Sequence, residues 1–180
     1  MVVVNLYGGP GSGKSSGAMY VTSLLKTKGV DAEFVSEFAK DKVWEHNDEI
    51  FKPENQIYIF GKQFFKMNRV KDKVDVIVTD SPLLLCICYN KTPLLGHSFN
   101  QVVMNYYKSF GLNMDYFIKR TKAYNSNGRL QTEKESNEIS KEIKKILTIN
   151  EIDYDIVGGD IEGYNKIYAD ILTQLGRGYG

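Results

Sequence analysis

One short segment near the start of the chain restricts the fold more than any other feature. The hydrophobic run VVVNLY is followed by GGPGSGKS and then by a helical pattern that begins at Lys14. The segment fits the spacing G-x-x-x-x-G-K-[ST] at every fixed position. Glycines let successive backbone N–H groups point at phosphate oxygens, and the helix N-terminus adds the positive end of its dipole. The pattern predicts a nucleotide-binding loop, called the phosphate loop below, formed by Gly8, Gly9, Pro10, Gly11, Ser12, Gly13, Lys14, Ser15 and Ser16.

Two side chains at the end of the phosphate loop have specific roles in this prediction. Lys14 is expected to reach the β- and γ-phosphates of a nucleotide, and the Ser15 hydroxyl is expected to bind Mg²⁺. The alternative is a glycine turn in a redox or structural α/β domain. We disfavour it because the spacing, the preceding strand and the following helix all match. The expected cofactors are ATP and Mg²⁺.

Composition excludes several other classes of protein. With 180 residues, 42% of them hydrophobic, and 4 Pro, the chain suits one globular domain, expected over residues 1–175 with a flexible tail at 176–180. The 23 basic and 22 acidic residues leave a net charge of +1, so no overall field attracts nucleic acid or an anionic membrane. Cys86 and Cys88 lie in an apolar run and are expected to be buried thiols. The sequence shows neither a secretory signal nor a membrane-spanning stretch, and we expect a cytoplasmic protein with no membrane partner.

Hydrophobic runs alternate with helical patterns along the rest of the chain. Further strands are predicted at 32–35, 74–79, 115–118 and 154–157, and helices are predicted after an N-cap at Ser36, from Pro53 to Arg69, after a Thr132 and Glu135 capping box, and along 164–175. Five short apolar strands separated by helices predict an α/β fold with a mostly parallel sheet flanked by helices. In such sheets ligands bind at the carboxyl ends of the strands.

Three polar side chains are candidates for the chemistry, and two of them follow predicted strands. Asp80 ends the strand at 74–79, where it could bind Mg²⁺ or accept a proton from an acceptor hydroxyl; otherwise it is a turn residue. Glu37 follows the strand at 32–35 and could bind a sugar hydroxyl, act as the base, or only favour a helix N-terminus. Gln63 stands between aromatic residues and could bind the edge of a substrate base or be a solvated helix residue.

The polar, basic segment KRTKAYNSNGRLQ predicts a mobile lid near residues 119–131. Arg120 and Arg129 are expected to close over the triphosphate, where they would neutralise developing charge and exclude water. The alternative is a charged surface exposed to solvent. Gly158-Gly159-Asp160, after the fifth predicted strand, could approach the adenine ring through its backbone.

The phosphate loop, Ser36-Glu37-Phe38-Ala39-Lys40, Asp80-Ser81-Pro82-Leu83 and Gly128-Arg129 together resemble a family of small phage and bacterial P-loop ATPases. That family is related to the ribosylnicotinamide kinase domain of bacterial NAD-biosynthesis regulators and, more distantly, to nucleoside and nucleotide kinases. The resemblance covers nearly the whole chain. It implies a three-layer P-loop NTPase fold, ATP·Mg²⁺ as the donor, Glu37 and Asp80 facing the acceptor, and lid arginines over the phosphates. It does not name the acceptor.

Three functions are compatible with these features. The first is transfer of the γ-phosphate of ATP to a small nucleoside-like or nucleotide-like acceptor, by a monomer or homodimer. The second is an ATPase or switch acting on a protein partner, which usually requires an arginine supplied in trans or an added module. The third is a kinase acting on a hydroxyl of DNA or RNA. The near-neutral charge disfavours the third function, although one surface could serve it: Tyr106, Tyr107, Lys108, Lys119, Arg120, Lys122 and Tyr124.

Overall fold

A five-stranded parallel sheet forms the centre of the protein, as seen in a computed structural model that describes residues 1–177. The strands in chain order are β1 (Val2–Tyr7), β2 (Ala32–Val35), β3 (Val76–Thr79), β4 (Leu112–Lys119) and β5 (Asp155–Gly158). Their order across the sheet is β2-β3-β1-β4-β5, and every neighbouring pair is parallel. Because β1 lies in the middle, the loop that follows it opens at the centre of the carboxyl edge.

Helices cover both faces of this sheet. In chain order they are α1 (Lys14–Thr27), α2 (Phe38–Trp44), α3 (Gln56–Asn68), α4 (Leu85–Tyr89), α5 (Gly96–Lys108), α6 (Glu133–Ile149) and α7 (Ile161–Gln174). Two short 3₁₀ turns, Asp48–Phe51 and Pro53–Asn55, connect α2 to α3. Within residues 1–177, the helices are too short or too polar to cross a membrane.

The core has two separate halves, one on each side of the sheet. Apolar residues of α1 and α7 pack on one face, around Val21 and Ile167. Residues of α3, α4, α5 and α6 pack on the other, around Phe60 and Leu147. All six residues of β1 are buried, as a central strand covered on both faces requires. This arrangement confirms the predicted three-layer α/β fold.

The start of α2 differs from the prediction. Glu37, not Ser36, occupies the N-cap position, and the helix begins at Phe38. The Ser36 hydroxyl and carbonyl instead accept hydrogen bonds from Lys66 Nζ of α3, at 2.8 and 2.6 Å. Tertiary contact therefore uses the hydroxyl that we expected to cap the helix.

Other predictions of local structure are confirmed or corrected by small amounts. Thr132 and Glu135 form the predicted capping box at the start of α6. The helix predicted from Pro53 begins as a 3₁₀ turn and becomes α-helical at Gln56. The helices α4 and α5 were not predicted. Part of the expected tail, residues 178–180, lies outside the described residues, whereas Arg177 donates a hydrogen bond to the carbonyl of Gly29.

Candidate functional site

The phosphate loop and the loops after β2 and β3 enclose one cavity of about 510 Å³ at the carboxyl edge of the sheet. Residues 127–131, which belong to the predicted lid, also line this cavity. Within the described structure, the predicted phosphate-loop residues line the cavity with the exception of Gly9. The other lining residues are Met19, Glu37, Ala39, Lys40, Val43, Trp44, Phe51, Pro53, Gln56, Ile59, Gln63, Asp80, Ser81, Leu85, Cys86, Tyr89 and Lys91.

Helix α6 holds the first half of the phosphate loop. The Ser136 hydroxyl donates a hydrogen bond to the carbonyl of Pro10 (2.7 Å), and the Gly9 N–H donates to Ser140 Oγ (3.1 Å). The Gly9 N–H is thus directed at α6. These serines were not identified from the sequence, because they lie more than 120 residues from the loop that they contact.

Helix α7 and the loop before it hold the second half. The Tyr164 hydroxyl donates to the carbonyl of Gly13 (2.9 Å), and its ring lies against Gly17, where an added Cβ would lie 2.5 Å from Cε1. A Cβ on Gly159 would overlap the carbonyl oxygen of Ser12. The loop after β5 therefore packs against the phosphate loop through its backbone; a contact of Gly159 with adenine remains a prediction.

Lys14 lies within the curve of the phosphate loop. Its ammonium donates to the carbonyl oxygens of Gly8 (2.7 Å) and Gly9 (3.1 Å). Burial lowers the pKa of Lys14, and the nearby carboxylates of Glu37 and Asp80 oppose that shift. The residue is positioned for its predicted contact with nucleotide phosphates, a role that remains a prediction.

Glu37 and Asp80 meet at this edge because β2 and β3 are adjacent. The Thr79 hydroxyl donates to the carbonyl of Val35 (2.9 Å), and the Glu37 N–H donates to Asp80 Oδ1 (2.9 Å). Asp80 is 2% exposed. Burial raises the pKa of Glu37, although the positive charge of Lys14 lowers it. A carboxylate with a raised pKa is suited to accept a proton near neutral pH.

Gln63 and Lys66 of α3 support the turn that carries Glu37. The Phe38 N–H donates to Gln63 Oε1 (3.0 Å), and Lys66 holds Ser36 as described above. Gln63 is 2% exposed, so the solvated alternative is wrong for this residue. Its buried Nε2 has no hydrogen-bond partner in residues 1–177, although the residue lines the cavity. A buried donor without a partner at the edge of a cavity is a candidate contact for a polar ligand group. The sequence analysis did not identify Lys66. Its position one helical turn after Gln63 could have indicated that it lies on the same side of α3.

The lid brings one of its two arginines to the cavity. Arg129 is a lining residue, and its guanidinium donates to backbone carbonyls of Asn125 and Asn127. Arg120 forms an ion pair with Glu133 at 3.2 Å and donates to Asn137 of α6. Among the residues described, Arg120 is not part of the lining. A catalytic role for either arginine remains a prediction.

The residues of the site fit Mg²⁺ held together with a nucleotide. Ser15 and Asp80 line the same cavity and supply hydroxyl and carboxylate oxygens, which Mg²⁺ prefers. Within residues 1–177 no cluster of three or more His, Cys, Asp or Glu side chains could hold a metal ion. The nucleotide phosphates would therefore have to supply other ligands of the ion.

The wall of the cavity beyond Glu37 is apolar and aromatic. It includes Trp44, Phe51, Ile59 and Tyr89, together with the amide of Gln56, and these come from four separate segments. A planar, partly polar molecule would fit such a wall. The sequence did not indicate these residues because none belongs to a local motif.

Comparison with solved structures agrees with the fold. A crystal structure of NadR protein in complex with NR superposes with a TM-score of 0.72 at 14% identity, covering 99% of this chain and 52% of that one. Shikimate kinase from Aquifex aeolicus VF5 superposes with a TM-score of 0.52 at 18% identity, covering 97% and 96%. The chain thus spans about half the length of the NadR protein. These likenesses confirm a P-loop kinase-like fold.

Comparison of sequences identifies the family. No curated protein matches the sequence significantly. A family model described as AAA domain matches residues 3–163, a range that includes the phosphate loop, Glu37, Asp80 and the lid. Because this match spans most of the sequence, the chain belongs to the AAA domain family.

Proposed function

We propose that the protein is an ATP- and Mg²⁺-dependent phosphotransferase that transfers the γ-phosphate to a hydroxyl of a small nucleoside-like or nucleotide-like acceptor. One observation carries this proposal. A single cavity is lined by the phosphate loop, by apolar and aromatic side chains, and by Glu37 and Asp80, and the Asp80 carboxylate accepts a hydrogen bond from the Glu37 N–H. A simple nucleotide switch has no need of a second, apolar compartment next to its phosphate site.

The reaction follows from these positions. The acceptor oxygen attacks the γ-phosphorus, the bond from that phosphorus to the β,γ-bridging oxygen breaks, and ADP leaves. The acceptor hydroxyl loses its proton to Glu37 or Asp80. Lys14 and Arg129 neutralise charge on the phosphate oxygens, and the lid keeps water away. Ser15 and Asp80 would hold Mg²⁺, which supplies further neutralisation when bound.

The apolar and aromatic part of the cavity lining is suited to bind a small planar acceptor. Trp44, Phe51 and Tyr89 offer apolar surface, and the amides of Gln56 and Gln63 offer hydrogen bonds to a polar edge. NR is bound in the NadR structure, and the second structural neighbour is a kinase named for the small molecule shikimate. Both support a small-molecule acceptor here. We place the reaction in the cytoplasm, where the buried free thiols of Cys86 and Cys88 would stay reduced.

The test is release of ADP from ATP·Mg²⁺ by purified protein, alone and with nucleosides, ribosylnicotinamide, nucleoside monophosphates and short oligonucleotides. Lys14→Ala is the blank. A large rise with one class of small molecule establishes the phosphotransferase and names its acceptor. Steady release that no acceptor changes would refute the proposal in favour of an ATPase, and stimulation by oligonucleotides alone would favour the nucleic-acid kinase.

A matched pair of variants tests the lid within the same assay. Arg129→Ala should slow transfer because Arg129 lines the cavity, with little change in ATP binding. Arg120→Ala, which loses the ion pair with Glu133, should have the smaller effect on transfer. Equal rates for Arg129→Ala and the wild type would favour the alternative that this segment is a charged surface exposed to solvent.

A further inference from the structure

The tip of the lid lies on the only tryptophan of the chain, Trp44. Gly128 has a φ of +68°, and a Cβ built on it would overlap the indole, lying 2.9 Å from Cη2 and 3.0 Å from Cε2. The absence of a side chain at residue 128 therefore allows the lid backbone to approach the ring closely. This contact joins the lid to α2, the helix that begins directly after Glu37.

The residue next to this contact approaches the phosphate loop. Arg129 follows Gly128, and a Cβ built on Gly11 of the phosphate loop would lie 3.5 Å from Arg129 Nε. The lid thus touches Trp44 with one residue and approaches the phosphate loop with the next. Trp44 lines the cavity as well, on the side of Val43 and Phe51.

We propose that Trp44 is a positioning residue at which the lid docks, and that the planar part of the acceptor packs against the same indole. The proposal rests on the phosphotransferase function proposed above. A ring that contacts both groups makes lid closure and acceptor binding favour each other. The docked lid keeps Arg129 near the phosphates, and water is excluded more completely when the acceptor is also present.

The exposure of the Trp44 side chain does not by itself explain why it contacts the lid and lines the cavity. Trp44 is 61% exposed, and Phe65 of α3 is 64% exposed, yet Phe65 lies outside the lining of the cavity in the described structure. Phe65→Ala is therefore a control that removes an equally exposed aromatic ring. Trp44→Ala removes the dock, and Trp44→Phe keeps part of its flat surface.

A substitution on the other side of the contact makes the test specific. Asparagine tolerates a positive φ better than most residues, so Gly128→Asn adds a side chain against Trp44 with less backbone strain than other substitutions would. Binding of the magnesium complex of β,γ-imido-ATP is measured by calorimetry for each variant. Trp44→Ala and Gly128→Asn should each weaken nucleotide binding about fivefold, because the whole segment 127–131 then leaves the cavity, whereas Arg129→Ala removes one side chain from a lid that stays docked. The double variant should be no weaker than either single variant, Trp44→Phe should recover part of the loss, and Phe65→Ala should equal the wild type.

The second part of the proposal, that the acceptor packs against Trp44, is tested by the ratio of ADP released to acceptor phosphorylated. The acceptor is the most stimulating small molecule of the panel. This ratio should rise in Trp44→Ala and Gly128→Asn, because an undocked lid admits water. Circular dichroism checks that each variant is folded. Wild-type affinity in both single variants, multiplied effects in the double variant, or an unchanged ratio would overturn the role of Trp44. If no acceptor stimulated the wild type, the proposed function would fail, and the binding comparison would still decide whether the lid docks on Trp44.

Discussion

Two glycines inside helices make opposite predictions for the same substitution. Gly17 lies in α1 against the Tyr164 ring, where an added Cβ would be 2.5 Å from Cε1 and 2.8 Å from Cδ1. Gly61 lies in α3, and within the described residues an added Cβ would meet no atom within 4 Å. Both changes to alanine gain the same helix propensity, about 1 kcal/mol. The difference between the two variants therefore isolates the contact of Gly17 with Tyr164.

The expected difference in stability between the two variants follows from the distances at Gly17. An ordinary contact of carbon with an aromatic ring is about 3.5–4.0 Å, so the Tyr164 ring must retreat by roughly 1 Å in Gly17→Ala. Overpacking of this kind costs about 1–3 kcal/mol, and loss of the hydrogen bond from Tyr164 to Gly13 costs about 1 kcal/mol more. Gly17→Ala should thus be less stable than Gly61→Ala by about 2–4 kcal/mol, a difference in Tm of roughly 4–16 °C.

The assay combines thermal unfolding followed by circular dichroism with nucleotide binding measured by calorimetry. Gly61→Ala should be slightly more stable than the wild type and should bind β,γ-imido-ATP·Mg²⁺ equally well. Gly17→Ala should bind it about tenfold more weakly, because the carbonyl of Gly13 in the phosphate loop loses its support. Tyr164→Phe, which removes only the hydroxyl, should show the smaller part of the loss. Equal stabilisation by both alanines would refute the packing argument.

Three further predictions concern single groups. Asp80→Asn should reduce turnover far more than nucleotide affinity; a change in thermal stability alone would assign Asp80 to the turn. If Glu37 is the base, its raised pKa places the acid limb of the pH profile of kcat/KM above the ordinary range of a carboxyl group, with activity rising as pH rises, and Glu37→Gln should remove that limb. Burial raises the pKa of Cys86 to about 12 and of Cys88 to about 11, so both thiols should resist iodoacetamide in the folded protein and react in urea, as mass spectrometry would show.

Local patterns predicted the parts of the fold that depend on neighbouring residues. The strand at Val2–Tyr7 is marked by its β-branched run, the phosphate loop by its spacing, and the start of α6 by a capping box. Helices α4 and α5 were missed for local reasons. Leu85–Tyr89 is a short apolar run that has no helical period, and α5 begins at Gly96 after Leu95, which is a poor N-cap.

The residues of the candidate site also fall into two groups, those that local sequence patterns predict and those that they do not. Glu37 and Asp80 could be predicted together because each follows a strand and parallel strands end at one edge. The wall formed by Trp44, Phe51 and Tyr89 could not, since these residues meet only after the chain has folded. Arg120 and Arg129 look alike in the sequence, and the folded structure separates them, because Arg120 pairs with Glu133 whereas Arg129 lines the cavity. Which residues form the wall, and which arginine lies at the cavity, depend on contacts between segments that are distant in the sequence.

The supports of the phosphate loop also determine when the protein can first recognise a nucleotide. The motif leaves the ribosome well before Ser136 and Tyr164, which hold Pro10 and Gly13 and are synthesised 126 and 151 residues later. β1 also depends on β3 and β4 for its hydrogen bonds. A nascent chain that ends before α6 therefore contains the complete motif without either of the contacts from Ser136 and Tyr164. The contacts that shape the phosphate loop are acquired late in translation, although the residues of the motif are translated before them.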